Sequence, residues 1–405
     1  MHRPIVRSLA LVAVAVSATT AGAQQIPQNV EVHGFGSWNS GATNNENLYL
    51  GGKWKGSSTN SSAGVNLTGD LGDRVSFTTQ VEFGFNGETE AELDYAFGEY
   101  RFHDALKLRA GQVKQPFGLF TELMDVGTVR PFLHLPQSMY GPTAAVAEAY
   151  RGIGLTGNLN LPGGSSLDYD VYGGGLNREE NEFTLDMYRA LQGRKSFEEV
   201  GNEIGTEVTD QMYGGRLMFN VVQGLRVGTS GYHSITGEAS AGRGWVTTMG
   251  YAAEYVRGRT ALRSEVFRQW ENDHDRENGW YYEGSYRPFG GWQLAGRFDR
   301  SSVHLKNPRP TSSSDLAVDV RPPVGQSLLE HRELAGGVNY FFSPNFVMKA
   351  SVHHTTGNHF AQPVGDGSLI SAYHDAEALY QSTGTVTQVP ARKTTALLVG
   401  AQFAF

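Results

Sequence analysis

Four charged side chains are spread along residues 114–147: Lys114, Glu122, Asp125 and Arg130. The same segment is rich in Pro, Phe, Leu and Met and lacks the period-two alternation that runs through most of the chain. Connections of this length are usually functional or disordered, and the apolar content argues against disorder. We therefore expect a loop that packs its apolar side chains against a larger surface and turns its four charges toward water.

Metal binding and catalysis are the other chemistries that side chains of this sequence could support. His353, His354, His359 and His374 surround a late stretch of the chain. Adjacent residues on a strand point to opposite faces, so His353 and His354 cannot bind one ion without distortion. The Gly-x-Ser-x-Gly nucleophile motif does not occur, although members of a Ser-His-Asp triad need not be neighbours. We expect no metal, no cofactor and no enzymatic activity.

The N-terminus has the features of a secretory signal peptide. Arg3 and Arg7 precede a short apolar run, and small residues end at Ala23. We expect cleavage near Ala23, which removes residues 1–23 and changes the net charge from −8 to −10. An acidic exported chain argues against nucleic acid as a partner. The chain contains no cysteine, so disulfides do not stabilise it.

The rest of the sequence alternates with a period of two. In residues 74–86, Val, Phe and Thr side chains occupy one face, and mostly polar or small residues occupy the other. No apolar run reaches the eighteen or so residues that a membrane-spanning helix needs. The predicted strands are 30–39, 60–69, 74–86, 91–103, 106–113, 148–160, 166–176, 209–221, 224–235, 244–257, 260–271, 278–288, 292–302, 331–342, 345–357 and 392–405.

Short turns alternate with long, polar connections between these strands. This asymmetry is typical of outer-membrane barrels, which have short periplasmic turns and long extracellular loops. A β-sandwich has no reason to show it. The fold class is therefore all-β: a transmembrane antiparallel β-barrel of about 16 strands over residues 24–405, in the outer membrane of a Gram-negative bacterium.

Aromatic residues near strand ends support a membrane location. Trp245, Tyr282 and Trp292 are examples on the predicted lipid face, where aromatic girdles anchor barrels at both interfaces. The last strand ends in LLVGAQFAF, and its terminal Phe405 resembles the C-terminal signal read by the barrel assembly machinery. We expect outer-membrane lipid and this machinery as partners.

A barrel of this size leaves an aqueous channel, which an inward loop would narrow. Residues 114–147 form the third long connection and are the candidate constriction, although packing over the rim or subunit contact stays open. The predicted constriction residues are Lys114, Glu122, Asp125, Arg130, Arg101, Lys107 and Arg109, and further charged residues assigned to the lumen are Glu82, Arg216, Arg226, Arg263, Arg297 and Lys349. Arg101, Lys107 and Arg109 could face the loop acids across the pore. Alternatively, many of these charges form salt bridges along the wall.

The segments GQVKQPFGL at 111–119 and RPFLHLPQSMY at 130–140 resemble the third-loop region of porins related to the phosphate-selective porins O and P and their general-porin relatives. The resemblance implies a homotrimer of water-filled barrels in which the third loop forms the constriction. Members that bind phosphate use an arginine ladder and a lysine cluster. This loop instead mixes Lys114 and Arg130 with Glu122 and Asp125.

The function we expect is passive diffusion of small hydrophilic solutes or ions through an outer-membrane channel that residues 114–147 filter. One alternative is a substrate-specific porin for phosphate and other oxyanions. Another is a porin for sugars or aromatic acids that stack on Phe117, Phe120 and Tyr140. A barrel-embedded hydrolase and a surface adhesion protein are alternatives of a different class.

Overall fold

The computed structural model describes residues 29–44, 58–85, 89–141, 146, 148–179, 207–236, 244–271, 276–304, 329–360 and 392–405. The predicted signal peptide and parts of the longer connections lie outside these ranges. The strands are β1 Val30–Thr43, β2 Ser58–Asp70, β3 Val75–Phe85, β4 Thr89–His103, β5 Leu106–Lys114, β6 Ala149–Asn160, β7 Ser166–Glu179, β8 Glu207–Val222, β9 Leu225–Thr236, β10 Gly244–Arg257, β11 Thr260–Glu271, β12 Arg276–Tyr286, β13 Trp292–His304, β14 Glu330–Ser343, β15 Phe346–Thr356 and β16 Lys393–Ala404.

These strands form one closed antiparallel barrel in which each strand pairs with its neighbours in sequence and β1 pairs with β16. The closing pair begins at Phe35 opposite Ala404. Gly34 and Phe405 then exchange two backbone hydrogen bonds, of 2.9 and 2.8 Å. The predicted barrel of about sixteen strands is confirmed, and the strand boundaries agree with the prediction to within a few residues.

Alternation along each strand separates an apolar outer face from a more polar inner face. In β16, Leu397, Val399 and Phe403 are exposed on the outside, while Leu398 and Gln402 are buried on the inside. Large side chains such as Tyr251, Tyr282, Tyr286 and Trp292 are likewise exposed on the outer face. Apolar outer side chains suit hydrocarbon, whereas polar inner ones suit a water-filled lumen.

One β-bulge interrupts this alternation close to the inward loop. Gln80 of β3 pairs with Tyr95 of β4, but the next residue, Val81, pairs with Leu93. Asp94 is therefore an extra residue in β4, and its side chain is buried beside the loop. A bulge redirects a side chain that simple alternation would place on the other face.

The helices of the described residues are short. Three of them, Thr121–Leu123, Gly127–Val129 and Gln137–Tyr140, lie in the connection between β5 and β6, and one more, Pro162–Gly164, lies in the turn before β7. None is long and apolar enough to cross a membrane.

Candidate functional site

Residues 115–141, called the inward segment below, follow β5 and run inside the barrel. Their Phe117, Phe120, Phe132 and Met139 side chains are at most 3% exposed. Phe117, Phe120 and Met139 belong to one buried apolar cluster with inward side chains of the wall, among them Tyr150, Tyr172, Tyr232, Phe267 and Tyr281. The prediction that the third long loop folds inward is confirmed.

Glu265 of β11 holds the inward segment near both of its ends. Its carboxylate accepts hydrogen bonds from the Leu119 N–H (2.9 Å) and from the hydroxyls of Tyr140 (2.8 Å) and Tyr281 (2.6 Å). Gly118 approaches so closely that a Cβ would collide with this carboxylate, and its φ of +65° is one that residues with a side chain rarely adopt. Glu265 thus ties both ends of the inward segment to β11.

The second half is held by cationic and amide side chains on β13–β15. Lys349 donates hydrogen bonds to the carbonyls of Gly127 (2.7 Å), Arg130 (2.6 Å) and Phe132 (3.4 Å). Asn339 donates to the Pro131 carbonyl (2.8 Å), and Arg297 donates to the His134 carbonyl (2.8 Å). These donors satisfy loop carbonyls that water does not reach, so the loop backbone can lie against the inner wall.

Glu122 lies at the edge of the inward segment among arginines of the wall. Its carboxylate is 2.7 Å from Arg216 and 3.8 Å from Arg109, and its side chain is 40% exposed. Arg216 also contacts Asp170 at 2.9 Å. Arg226 and Arg263 follow along the wall and share Glu254, at 3.0 and 2.7 Å. This side of the lumen presents several guanidinium groups, each with a carboxylate partner.

Lys114, the last residue of β5 before the inward segment, has the opposite surroundings. Its ammonium lies 2.7 Å from Asp94, 3.1 Å from Asp125 and 2.8 Å from Glu148. Glu82 completes a set of four carboxylates whose oxygens lie within 4.8 Å of one another. Such a set could hold a cation, and in this structure the buried ammonium of Lys114 is within ion-pair distance of three of its members.

The predicted constriction residues are only partly brought together. Lys114 was expected to face water, but this is wrong: its side chain is only 6% exposed because the surrounding carboxylates bury it. Arg101 does not reach the loop, since its guanidinium donates to the Asp73 carbonyl in a short turn. Lys107 stays on the wall, 3.7 Å from Glu99. Both Arg101 and Lys107 therefore contact groups of the barrel wall and its turns rather than the acids of the loop.

Of the other loop charges expected to face water, only Glu122 is exposed, whereas Asp125 and Arg130 are largely buried. Arg109 faces Glu122 across 3.8 Å. Asp125 accepts a hydrogen bond from Gln80 at 3.0 Å, and Arg130 donates to the Met124 carbonyl at 2.8 Å, within the loop itself. The remaining predicted lumen residues, Glu82, Arg216, Arg226, Arg263, Arg297 and Lys349, all point inward.

The aromatic stacking surface suggested for sugars or aromatic acids is not present. Phe117 and Phe120 are buried at 0% and 3% exposure. The Tyr140 hydroxyl is bonded to Glu265, and its ring packs edge-on against Phe120 at 5.8 Å between centroids. Phe117 and Phe120 therefore offer no open face to a solute, and Tyr140 is held by contacts within the loop and with Glu265.

The histidines are arranged as strand geometry predicts. His353 is buried inside, where it contacts Glu333 at 3.1 Å, while His354 is outside beside Thr395. His359 lies inside, 3.2 Å from Glu277. His374 lies outside the described residues.

The protonation of loop residues follows from these surroundings. Burial raises the pKa of Glu122, but the attraction of Arg216, Arg109 and Arg226 is stronger and leaves it below its ordinary value. Burial, with Arg297 nearby, lowers the pKa of Arg130 to about 10. Burial and the nearby His353, Arg130 and Arg297 lower the pKa of His134 to about 4. At neutral pH, Glu122 is therefore charged and His134 is neutral.

Several residues of the site were missed by sequence reasoning. Asp94 escaped because the bulge in β4 reverses its face. Asp170 lies on the inward face of β7 and could have been found by alternation, but its contact with Arg216 could not. Glu148 sits just before β6, far from Lys114 in sequence. The anchoring roles of Glu265 and Lys349 also depend on contacts across the barrel.

Comparison with known proteins places the chain in a family. The sequence profile described as "Phosphate-selective porin O and P" matches residues 62–405. None of the curated proteins matches the chain.

Several solved structures share the fold. An anion-selective porin from Comamonas acidovorans is 11% identical with a TM-score of 0.55, covering 93% of this chain and 99% of that chain. OmpT, an outer membrane protein of Vibrio cholerae, is 10% identical with a TM-score of 0.54, covering 95% and 100%. The outer membrane channel DcaP of Acinetobacter baumannii is 7% identical with a TM-score of 0.53, covering 93% and 97%. At these identities the similarity concerns the fold alone.

Proposed function

Because the chain belongs to the family of phosphate-selective porins O and P and is therefore an outer-membrane channel, we propose that it passes small hydrophilic solutes and ions by passive diffusion. Residues 114–147 are the proposed filter. No reaction is part of the proposal.

The observation that carries the proposal is the double attachment of the inward segment. Glu265 of β11 holds residues near Leu119, and Lys349 of β15 holds the carbonyls of Gly127, Arg130 and Phe132. A loop attached to strands this far apart along the wall lies inside the lumen, where it reduces the area open to water.

The pairing of the lumen arginines favours general diffusion over oxyanion specificity. Arg109 contacts Glu99 at 2.9 Å, Arg216 contacts Glu122, and Arg263 contacts Glu254. A phosphate would have to displace a carboxylate from each guanidinium it binds, and the displaced carboxylate would then repel it. We expect weak ion selectivity that reflects the balance of fixed charges along the pore.

The experiment is single-channel recording in planar bilayers. A variant in which a short Gly-Ser linker replaces residues 120–134 should conduct several-fold more current per channel. The matched control removes a stretch of similar length from the long connection between β7 and β8 and should leave the conductance close to the parent value. A loop variant that folds, by heat-modifiable gel mobility, and still conducts like the parent would refute the filter.

The remaining steps of biogenesis are also proposals. We infer that residues 1–23 are removed near Ala23 and that the C-terminal strand with Phe405 is recognised by the barrel assembly machinery. A homotrimer is supported by family membership and by one structural relative, OmpT of Vibrio cholerae, which is described in a trimer form. N-terminal sequencing of the exported protein tests the cleavage, and light scattering of its detergent complex tests the trimer.

A further inference from the structure

A row of arginines lies on the outer surface of the barrel near the end that carries the long connections. Arg268 of β11, Arg300 of β13 and Arg332 of β14 occupy exposed positions of the outward-facing alternation. Arg300 and Arg332 lie directly opposite each other in the strand pairing. Charged side chains on the lipid-facing surface of a barrel are destabilising unless they reach the interface, so their presence needs a reason.

These arginines differ from the lumen arginines in their partners. In the part of the chain that the structure describes, no carboxylate lies within 4.0 Å of Arg268, Arg300 or Arg332. Glu330, on the same face as Arg332, instead lies 3.8 Å from Arg392. Like charges that face each other across strands repel. The Arg300–Arg332 pair therefore has no carboxylate within ion-pair distance among the described residues.

Aromatic neighbours place this charge at the depth of lipid headgroups. Trp280 is the strand partner of Arg300, and its ring lies 5.2 Å from that of Phe298. The guanidinium of Arg332 lies over Phe298 at 5.3 Å from the ring centroid. Exposed aromatic rings of barrels sit at the membrane interface. Arg300 and Arg332 lie level with Trp280 and one outward position beyond Phe298 toward the long connections, which face the cell exterior in barrels of this type.

The outer face of β8–β10 lacks such a row. Its positions near the same end carry Tyr213, His233 and Trp245, whose rings contact one another at 5.3 and 6.1 Å between centroids. Arg151 of β6 is an isolated case: it is exposed on the outer face and donates to Gln112 at 3.0 Å. In the strands that the structure describes, arginines that face each other on the outer surface thus occur on the β11–β14 side of the wall.

We propose that the outer face of β11–β14, through Arg300 and Arg332 with Arg268 beside them, binds the phosphate groups of the phosphorylated glycolipid that forms the outer leaflet of the outer membrane. A guanidinium matches phosphate oxygens with two parallel hydrogen bonds. One phosphate between the two opposed arginines would cancel their repulsion, while the acyl chains cover the apolar surface below. The site rests on the outer-membrane location and is independent of the proposed filter.

The test measures lipid binding to the purified, folded protein in a neutral detergent. The probe is a bis-phosphorylated glucosamine lipid, lipid A, and its dephosphorylated form is the paired probe. The double variant Arg300→Gln/Arg332→Gln should bind lipid A about tenfold more weakly or worse than the parent, because two charge-assisted contacts are lost. Arg151→Gln is the matched control and should bind like the parent. Both variants should keep the parent single-channel conductance, which separates this site from the pore.

Three results would overturn the assignment. The first is equal affinity of the double variant and the parent for lipid A. The second is equal binding of lipid A and its dephosphorylated form to the parent, or binding of inorganic phosphate as tight as that of lipid A. The third is a change in the mass of the lipid-free assembly caused by the double substitution, which would assign the row to contact between copies of the chain.

Discussion

The two ends of residues 114–122, which lead from β5 into the inward segment, are opposite in charge and in exposure. At one end, the ammonium of Lys114 is only 6% exposed and lies among Asp94, Asp125 and Glu148. Eight residues later in the sequence, the Glu122 carboxylate is 40% exposed and lies against Arg216 and Arg109. One end is a cation surrounded by anions, and the other is an anion beside cations.

The difference in exposure decides what each end can do. A buried ion pair lacks the screening of water, so breaking it by removing one partner costs several kcal/mol. A half-exposed pair contributes little to stability, but its charge is felt by ions in the pore. We therefore expect the Lys114 end to control folding of the loop and the Glu122 end to control ion selectivity.

The largest effect should follow from Lys114→Met. It leaves the carboxylates of Asp94, Asp125 and Glu148 without their central cation, so we expect a loss of about 4 kcal/mol in the free energy of unfolding. A urea titration of the protein refolded in lipid measures this quantity. Lys107→Met is the control, since Lys107 is more exposed and contacts Glu99 at 3.7 Å, and it should change stability by less than about 1 kcal/mol. Equal losses in both variants would remove the distinction between the two ends.

A buried cation with neutral partners sharpens the comparison. Lys349→Met leaves the carbonyls of Gly127, Arg130 and Phe132 without a donor, at an expected cost of about 3 kcal/mol in the free energy of unfolding. The freed loop should also make the single-channel current noisier and larger on average. Conservative Lys349→Arg keeps the charge and should preserve more of both properties. A quiet, parent-like current from Lys349→Met would show that Glu265 suffices to hold the loop.

Selectivity should respond to Glu122→Gln with little change in stability. The substitution removes the negative charge beside Arg216 and Arg109, so anions should be favoured. We expect the anion-to-cation permeability ratio to rise about two- to fivefold, since a unit charge a few ångström away in water is worth up to about 1 kcal/mol. Reversal potentials under a salt gradient give the ratio. Asp73→Asn, in a short turn far from the loop, is the control. An equal rise of the permeability ratio in Asp73→Asn would show that the position of Glu122 in the pore has no particular influence on selectivity.

The smallest effect concerns pH. His134 has a pKa of about 4 in the folded protein, below its ordinary 6.5, so the unfolded chain binds the extra proton first. Its contribution to stability is full above pH 6.5 and is lost as the pH falls from 6.5 through 4. His134→Gln should therefore flatten the decline of the unfolding free energy over this range. A slope in His134→Gln that matches the parent would contradict the assignment.

Much of the fold followed from local patterns. Period-two alternation gave the faces of strands such as β16, where Val399 and Phe403 face outward and Gln402 faces inward. The apolar content of residues 114–147 predicted that the loop packs against the wall. Local rules failed at Asp94, because a bulge shifts the register by one residue, and at Lys114, because burial depends on carboxylates from three separate parts of the chain.

Sequence by itself therefore determined the barrel, the strand faces and the identity of the loop that enters it, because these depend on residues that are close together along the chain. Only the tertiary structure decided which wall residues hold that loop. Glu265 and Leu119, or Lys349 and Gly127, meet because the closed barrel brings distant strands around one lumen. The same closure decides which charges cancel within the pore and which, like Arg300 and Arg332 on the outer face, have no carboxylate partner among the described residues.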